Sequence, residues 1–239
     1  MALNGLSIRP LYQQVRDALS ERIAKGEWKP GTPIPNEGDL ARECGVSPGT
    51  MRKALDLMEG ERLVTRRQGR GTFVNDQASS ELASRFNNIR CANGQRIVGQ
   101  VEAAEVSGGT ANEQECARLR LEAHDRVFRV RYVRLHEGRP FMAAVASVPA
   151  ALFPGLAHDG GVPDGIVVLA QKHGMLLGKA EERISVDTAS PAVAEALRVA
   201  PDTPVMVLDR LTLTLDGRPV EWRIGRCHLP GQHYFAEMS

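Results

Sequence analysis

The chain has 239 residues, a length that suits two domains, each large enough to bury its own core. Its composition, 42% hydrophobic and 25% charged, is that of an ordinary globular protein and excludes the disordered and fibrous classes. The four cysteines are far apart and include no C-x-x-C pair, so the sequence predicts neither a zinc ribbon nor a disulfide framework. A reducing cytoplasm is therefore the expected location.

Two further classes are excluded by local patterns. Residues 1–12 lack a basic segment followed by an apolar run, so no secretory signal is expected. The uncharged stretch 141–157 approaches the length of a short membrane span, but Pro149 and Pro154 interrupt it, and no membrane partner is expected.

The first predicted element is an amphipathic helix. Apolar residues recur every four positions at Leu11, Val15, Leu19 and Ile23, and Gly26 with Pro30 ends the pattern. A second, shorter helix is predicted from the N-cap Asn36 to about Cys44.

A third helix follows a tight turn at Gly45. Ser47 is a favourable N-cap, and Pro48 occupies the first helical position, where its missing N–H costs nothing. Apolar residues lie along one stripe of this helix, so Thr50, Arg52 and Lys53 face outward near its N-terminal end. Helix, short turn and helix form the motif in which the second helix enters the major groove of DNA.

A basic hairpin is predicted next, over 65–74. Two β-prone ends enclose a glycine-rich turn, and glycine allows the backbone to approach a groove closely. Arginines at such a tip neutralise phosphates or enter the minor groove. Six basic and three acidic residues fall within 47–71, although the net charge of the whole chain is only +1.

Five blocks in order and spacing resemble the winged helix-turn-helix of the GntR family of bacterial transcriptional regulators. They begin at Pro10-Leu11-Tyr12, Gly31, Gly45-Val46-Ser47, Thr50-Met51-Arg52 and Arg67-Gln68-Gly69, and together cover nearly all of 9–74. The resemblance implies a DNA-binding domain, whose bounds are predicted as 7–75.

The sequence departs from the family pattern at three informative positions. Gly38 and Pro48 stand where the family often has arginines that contact DNA, which predicts a modified readout of the operator. Arg62 replaces the glycine usual before the first wing strand, so a positive φ is expected there. The residues predicted to contact DNA are Ser47, Gly49, Thr50, Arg52, Lys53, Arg66, Arg67, Gln68, Gly69 and Arg70. The alternative for Arg52, the leading candidate, is a surface ion pair with Asp56 four residues on.

Beyond a small, polar segment predicted as a linker over 76–84, the pattern changes to strands. Strands are predicted at 97–106, 127–136, 141–148, 182–186, 205–215 and 220–227, and short helices at 111–120, 165–173 and 191–199. The repeated turn signals Glu137-Gly138 and Asp216-Gly217 predict hairpins, and hence a mainly antiparallel sheet with flanking helices. The fold class is α+β.

The order of these strands and turns, with Leu152-Phe153-Pro154 and Pro219-Val220-Glu221, resembles the UTRA domain of the HutC-type GntR regulators. The resemblance implies an effector-binding domain, predicted over 85–236, with a fold similar to chorismate lyase.

Strand parity predicts the effector site. Tyr132 and Arg134 share one strand face, and a three-residue loop over 137–139 would place them opposite Ala144 and Met142. One arginine therefore faces a mostly apolar wall. A strand-edge arginine in a salt bridge is the alternative reading of Arg134.

The resemblance to UTRA domains implies an Arg-x-Arg pair and two glutamates around an anionic effector. The matching positions here are Tyr132, Arg134, Ala144 and Glu221, so half of that polar set is missing. The full set of predicted effector-binding residues adds Asn87, Asn88 and Arg223. The replacement of these polar residues by Tyr132 and Ala144 favours a small carboxylate-bearing ligand over a phosphosugar.

The predicted function is that of a homodimeric repressor that a small-molecule effector releases from a pseudo-palindromic operator in double-stranded DNA. A C-terminal domain that only dimerises or binds a protein partner is the alternative. A lyase-type enzyme is less favoured because no nucleophile with a base and no paired carboxylates stand out. No cofactor is expected, and the six histidines show no metal-ligand spacing.

Overall fold

The computed structural model describes residues 9–156 and 165–237 and divides them into two compact units. The first unit consists of residues 9–79 with Gly174–Leu176, and the second of the other described residues from Ser80 onward. Residues 7 and 8 of the predicted DNA-binding domain, and 157–164 of the predicted effector domain, lie outside the described residues.

Three helices form the body of the first unit: α1 (Leu11–Ala24), α2 (Glu37–Glu43) and α3 (Pro48–Gly60). Both predicted N-caps are confirmed, because the Asn36 side chain accepts a hydrogen bond from Asp39 N at 2.9 Å and Ser47 Oγ accepts one from Thr50 N at 3.2 Å. The helices enclose a core that includes Leu19, Leu40 and Met51.

The predicted hairpin is a two-stranded wing, β1 (Val64–Arg67) and β2 (Gly71–Val74). Arg62, which enters it, has a φ of 59°, as its position in place of a glycine predicts. Pro33 adds a short bridge to Phe73 on the outer side of β2, so the wing is attached to the helical body.

The boundary between the two units falls after Ser79, within the predicted linker 76–84, and part of this segment is ordered. Gln77 is buried, and its side-chain amide donates to Arg62 O at 2.8 Å. Residues further along form a short helix, α4 (Ser80–Ala83). A backbone carbonyl and a helical turn thus satisfy polar groups that a solvated linker leaves to water.

A six-stranded antiparallel sheet dominates the second unit and confirms the predicted fold class. Its strands, in spatial order, are β4 (Gln100–Thr110), β5 (Arg126–His136), β6 (Arg139–Pro149), β9 (Pro219–Cys227), β8 (Pro204–Thr214) and β7 (Leu177–Thr188). The strand predicted at 182–186 is more than twice as long as expected.

Two of the predicted helices, α5 (Glu113–Leu119) and α7 (Pro191–Leu197), pack on one face of this sheet, against β9 and β6 respectively. The 3-10 helix Ala150–Leu152 follows β6, and α6 (Ile166–Lys172) is the third predicted helix. The pair β3 (Ile89–Cys91) and β10 (Gln232–Tyr234) was not predicted, because its strands have three residues each and are far apart in sequence.

The register of the β5–β6 hairpin is the predicted one, although the loop is not. Tyr132 lies opposite Ala144 and Arg134 opposite Met142. The connection is a two-residue turn, Glu137-Gly138, with φ of 50° and 74°. A bulge between Arg134 and Leu135 shifts the pairing back by one residue and restores the predicted register.

Candidate functional site

The candidate DNA-binding surface combines the start of α3 with the wing. The predicted residues Ser47, Gly49, Arg52, Lys53, Arg67, Gln68, Gly69 and Arg70 are exposed, and Thr50 and Arg66 are half-buried. Gly49 is open, since a Cβ built there meets nothing nearer than Ser47 Oγ at 3.9 Å. The backbone therefore offers a close approach at the first turn of α3.

Arg52 forms an ion pair, but not the one expected. Its Nη2 lies 2.8 Å from Glu37 Oε1, at the start of α2, rather than pairing with Asp56. The arginine side chain is 65% exposed and its partner 29% exposed. An ion pair this exposed contributes little to stability, so its cation is available to exchange partners.

Arg66, one of the predicted DNA contacts, is held by residues of α3. Its guanidinium contacts Asp56 and Glu59 of α3, and Nη2 donates to Arg52 O at 3.3 Å. It lies on β1 opposite Thr72, so it fastens the wing to α3 rather than extending from the tip. Arg67, next to it, stacks its guanidinium over the Phe73 ring at 4.6 Å.

The second site is a cavity on the face of the large sheet that α5 and α7 leave free. The described residues enclose about 120 Å³. The lining includes five of the predicted effector-binding residues, Asn87, Tyr132, Arg134, Glu221 and Arg223, with Ser84, Phe86, Val98, Met142, Ala146 and Ile166 among the others. A cavity of about 150 Å³ holds a benzene ring, so this one suits a compact ligand.

Two predicted effector residues do not line the cavity. Ala144 is buried between Tyr132 on β5 and Gly225 on β9. The Met142 side chain lies over Gly225 and separates this part of the sheet from the cavity. Asn88 donates from Nδ2 to the Tyr234 hydroxyl at 2.9 Å. Asn88 therefore acts on the site indirectly, because the Tyr234 hydroxyl in turn donates to Glu182 Oε2 at 2.7 Å.

Two residues of the site were not predicted from the sequence. Arg210 also lines the cavity, and Glu182 forms an ion pair with Arg210. The sheet register brings them together, since Glu182, Arg210 and Arg223 occupy opposed positions on β7, β8 and β9. Arg210 Nε donates to Glu182 Oε1 at 2.7 Å, and both side chains are less than a tenth exposed. The available signal was the charged pair Asp209-Arg210 inside a strand, 204–214, whose other residues are apolar apart from two threonines.

The cavity has an excess of positive charge. Among the residues that the structure describes, Arg134, Arg210 and Arg223 line it with one carboxylate, Glu221, which accepts from Thr212 Oγ1 at 3.0 Å. Even with Glu182 counted, three guanidinium groups face two carboxylates. Burial lowers the pKa of Arg210, and repulsion by the charge of Arg223 lowers it further.

Arg223 is the cation least satisfied by its neighbours. Its Nη2 is 3.6 Å from Glu182 Oε1, beyond hydrogen-bonding distance, and Nε has no hydrogen-bond partner among residues 9–156 and 165–237. Burial lowers its pKa, but the Tyr132 hydroxyl and the carboxylates Glu221 and Glu182 outweigh that effect and raise it. A buried, charged and incompletely paired guanidinium favours an anion in the cavity.

Arg134 lies at the side of the same cavity. Its Nη1 donates to Val98 O at 2.7 Å, and its guanidinium carbon is 5.6 Å from the centre of the Tyr132 ring. A Cβ on Gly165 would lie 3.7 Å from Arg134 Nη2, so glycine leaves room beside the guanidinium. Arg134 is therefore held by a backbone carbonyl and an aromatic ring, and by no carboxylate of the described residues.

Comparison with known proteins identifies both units. The family model for bacterial regulatory proteins of the gntR family matches residues 11–74, and the UTRA domain model matches 95–230. The chain belongs to the GntR family and carries a UTRA domain. The UTRA match alone covers more than half of the chain.

The curated relatives are transcriptional regulators. The chain is 27% identical to the mannosyl-D-glycerate transport/metabolism system repressor MngR of Escherichia coli over 90% of each protein. It is 26% identical to the transcriptional repressor NagR of Bacillus subtilis, over 92% of this chain and 91% of that one. A histidine utilization repressor of Pseudomonas putida is 27% identical, over 89% and 86%.

Two solved structures share the fold. The ligand-binding domain of a GntR-family regulator from Bordetella bronchiseptica matches 65% of this chain and 98% of its own, with a TM-score of 0.58 at 23% identity. The regulator YydK of Bacillus subtilis matches 97% of this chain and all of its own, with a TM-score of 0.52 at 15% identity.

This GntR-family chain is therefore a DNA-binding transcriptional regulator and not an enzyme, which sets the lyase alternative aside. Within the ranges that the structure describes, none of the helices has both the length and the apolar character needed to cross a bilayer.

Proposed function

We propose that this regulator is a homodimeric repressor of the cytoplasm that binds a pseudo-palindromic operator and leaves it when a small, carboxylate-bearing metabolite fills the UTRA cavity. The observation that carries the proposal is the buried, incompletely paired Arg223 in a cavity with excess positive charge. The named repressors among the relatives support the direction of control.

The DNA-binding half of the proposal depends on the exposed cations of α3 and the wing. In a dimer, two copies of α3 would enter successive major grooves about 34 Å apart, so the symmetry of the operator would follow that of the protein. Arg52 would exchange Glu37 for a guanine edge or a phosphate, because an exposed ion pair costs little to break. Arg70 and the backbone at Gly69 would approach the minor groove or the phosphates.

The ligand half follows from the charge and size of the cavity. One carboxylate would supply the missing negative charge and accept hydrogen bonds from Arg223, with Arg134 as the second donor. The apolar wall, which includes Val98, Met142 and Ile166, would pack against a compact aromatic or aliphatic body. A sugar phosphate is larger and needs more polar partners than this wall offers.

Thermal shift of the purified full chain tests the ligand. We would screen benzoate, phenylacetate and C4–C6 carboxylates, with a hexose phosphate for contrast. A ligand at about 100 times its Kd stabilises the native state by about 2.7 kcal/mol, which is readily seen as a rise in Tm. Stabilisation by the hexose phosphate alone would contradict the assigned ligand class, and stabilisation by none would favour a C-terminal domain that only dimerises or binds a protein.

A matched pair of variants on one strand separates the cavity from general electrostatics. Arg134 faces the cavity, whereas Arg131 is exposed on the opposite face of β5. Arg134→Gln is expected to remove the thermal shift, and Arg131→Gln, with the same change of charge, is expected to keep it. Equal loss in both variants would show that the anion is attracted by the net charge of the domain rather than by the cavity.

A further inference from the structure

A second cavity of the C-terminal unit contains a cysteine and a histidine in direct contact. Cys91 Sγ lies 3.3 Å from His136 Nε2, and both residues are half-buried. The cavity beside them has a volume of about 430 Å³. It is formed by the turn after β3, the β5–β6 turn and the segment before β10, and its described lining shares no residue with that of the effector cavity.

Cys91 differs from the other three cysteines in its surroundings, although all four are free thiols. Burial raises the pKa of the Cys44 thiol, and it raises the pKa of Cys227 to about 12. The Sγ atom of Cys116 contacts backbone carbonyl groups. Among the thiols and side chains that the structure describes, Cys91 alone has a basic side chain within hydrogen-bonding distance.

A hydrogen bond between a thiol and an imidazole prepares the sulfur for nucleophilic attack. The Cys91 thiol donates to the neutral Nε2 of His136, or, once the proton has moved, Nε2–H of the imidazolium donates to the thiolate. The thiolate is the reactive form, and an adjacent histidine commonly serves as the base that generates it. The contact thus supplies both a nucleophile and a place for its proton.

The lining of this cavity is polar and carries both signs of charge. Arg139 and Glu137 are exposed at the β5–β6 turn, where Glu137 Oε1 is 4.0 Å from His136 Nε2. Gln232 lies directly opposite Cys91 in the β3–β10 pair, and its Oε1 is buried without a hydrogen-bond partner in the described part of the chain. Arg139 can bind a carboxylate, and Glu137 or Gln232 can accept from an ammonium or amide N–H. These partners fit a compound that carries both a carboxylate and an amino group.

We propose that Cys91 is a modification site, where His136 assists the formation of a mixed disulfide with an amino-acid-derived thiol such as cysteine or glutathione. The Cys91 thiolate attacks one sulfur of the corresponding low-molecular-weight disulfide, so a new S–S bond forms and the old S–S bond breaks. The electron pair leaves with the second sulfur, which takes the proton held by His136 and departs as a free thiol. Cys91 is oxidised and the departing half of the disulfide is reduced, so no other oxidant is needed.

The size of the cavity favours a mixed disulfide over oxidation by a peroxide. A single oxygen atom on sulfur needs little room, whereas about 430 Å³ is within the range of small-molecule sites. The described lining holds no second cysteine that could close an intramolecular disulfide, so the partner thiol has to come from solution. A metal ion is not favoured, since the described residues include no group of three or more His, Cys, Asp or Glu placed to bind one.

Neither the operator nor the effector enters this inference, so it is tested on the purified full chain alone. Intact-mass spectrometry and peptide mapping after incubation with glutathione disulfide are expected to show one glutathionyl group, on Cys91. Cys91→Ser is expected to lose this adduct, while Cys44→Ser and Cys116→Ser keep it. An adduct on another cysteine would overturn the site. No adduct, or only a sulfenic acid formed with hydrogen peroxide, would overturn the proposed chemistry.

His136→Gln tests the base. Glutamine keeps a polar side chain but cannot take the thiol proton, so adduct formation at neutral pH is expected to slow about tenfold or more. An unchanged rate in a variant that circular dichroism shows to be folded would overturn the role of His136. If the variant does not fold, the wild type decides, because Cys91 is expected to react about tenfold faster than Cys116 or more, and equal rates overturn the proposal.

A neutral disulfide, hydroxyethyl disulfide, tests the ligand class. Arg139→Gln is expected to slow the reaction with glutathione disulfide about threefold, because the carboxylate loses its cation, and to leave the reaction with hydroxyethyl disulfide unchanged. Arg126→Gln is the matched control, since Arg126 is exposed at the other end of β5 and outside this lining. Equal slowing of both disulfides by Arg139→Gln would overturn the amino-acid-derived class.

Discussion

The arginines of the two units are held in opposite ways. In the first unit Arg52 is exposed and pairs with a partly exposed Glu37, and in the second Arg210 is buried against a buried Glu182. The exposed pair contributes little to stability and can dissociate when a phosphate or a base edge competes. The buried pair is fixed, because neither charge can return to water. The proposed recognition of DNA thus relies on cations that are free to exchange, and the proposed recognition of an effector on cations fixed in advance.

The largest effect is expected from breaking the buried pair. Glu182→Gln removes the charge that neutralises Arg210 and one acceptor of the Tyr234 hydroxyl. Leaving a buried cation without its partner costs about 3–5 kcal/mol. Urea denaturation followed by Trp222 fluorescence, in a Trp28→Phe background, reports on the second unit.

The matched control is Glu37→Gln in the exposed pair. Its unfolding, followed by Trp28 fluorescence in a Trp222→Phe background, is expected to need about 1 kcal/mol less free energy, or a smaller loss. Equal costs in the two variants would remove the distinction between the pairs.

The ion pair between Glu115 and Arg129 is intermediate in burial between these two. Glu115, buried on α5, accepts from Arg129 Nε at 2.7 Å and from Ser147 Oγ at 2.7 Å, whereas Arg129 is about a quarter exposed. Burial raises the pKa of Glu115, but these hydrogen bonds and the one from the Asn112 backbone outweigh it and lower the pKa below its usual value. Glu115→Gln is expected to cost about 1–3 kcal/mol at pH 7.

The sign of the pH dependence follows from that lowered pKa. The carboxylate contributes stability that is fully present above the unfolded pKa, about 4.3, and is lost as the pH falls through the lower folded value. The free energy of unfolding of the wild type should therefore approach that of Glu115→Gln below about pH 4. A difference between the two proteins that stays constant from pH 7 to pH 3 would contradict this assignment.

The smallest effect on stability is expected at the DNA-facing surface. Gly49 lies in the first turn of α3 with open space around its Cα, so Gly49→Ala should stabilise the fold by about 0.5–1 kcal/mol. The same methyl group would hinder a close approach of the backbone to DNA. Higher Tm with weaker operator binding is the expected combination, and unchanged binding would place Gly49 outside the interface.

Local signals were sufficient to predict the first unit. N-caps, a proline at the first helical position and turn glycines act over a few residues, and the left-handed conformation of Arg62 follows from its place in the wing pattern. The partner of Arg52 was not predictable in this way. Glu37 is 15 residues away and reaches it through the packing of α2 on α3, whereas the i,i+4 rule considers only one helix.

The sequence predicted those residues of the cavity that depend on alternation along one strand, and not those that depend on the order of strands in the sheet. Parity along β5 identified Tyr132 and Arg134, because alternation is a local property, and the resemblance to UTRA domains supplied Glu221. Arg210 and Glu182 share the site only through the order of strands β9, β8 and β7, which pairs residues 28 positions apart. The β5–β6 register was right although the loop was not, because the bulge compensates for the shorter turn.

Binding of Arg52→Ala to DNA is the decisive measurement for the proposed role of Arg52 in reading the operator. A duplex enriched from random sequence by the wild-type protein would serve as the operator, with Lys25→Ala as the control, since Lys25 is also exposed and ion-paired, to Glu21. Arg52→Ala is expected to abolish specific binding, raising Kd for the selected duplex about 30-fold or more, while Tm stays within about 2 °C of the wild type. Lys25→Ala should bind nearly as the wild type does. An unchanged Kd for Arg52→Ala would contradict the account, because the exposed arginine of α3 would then take no part in reading DNA.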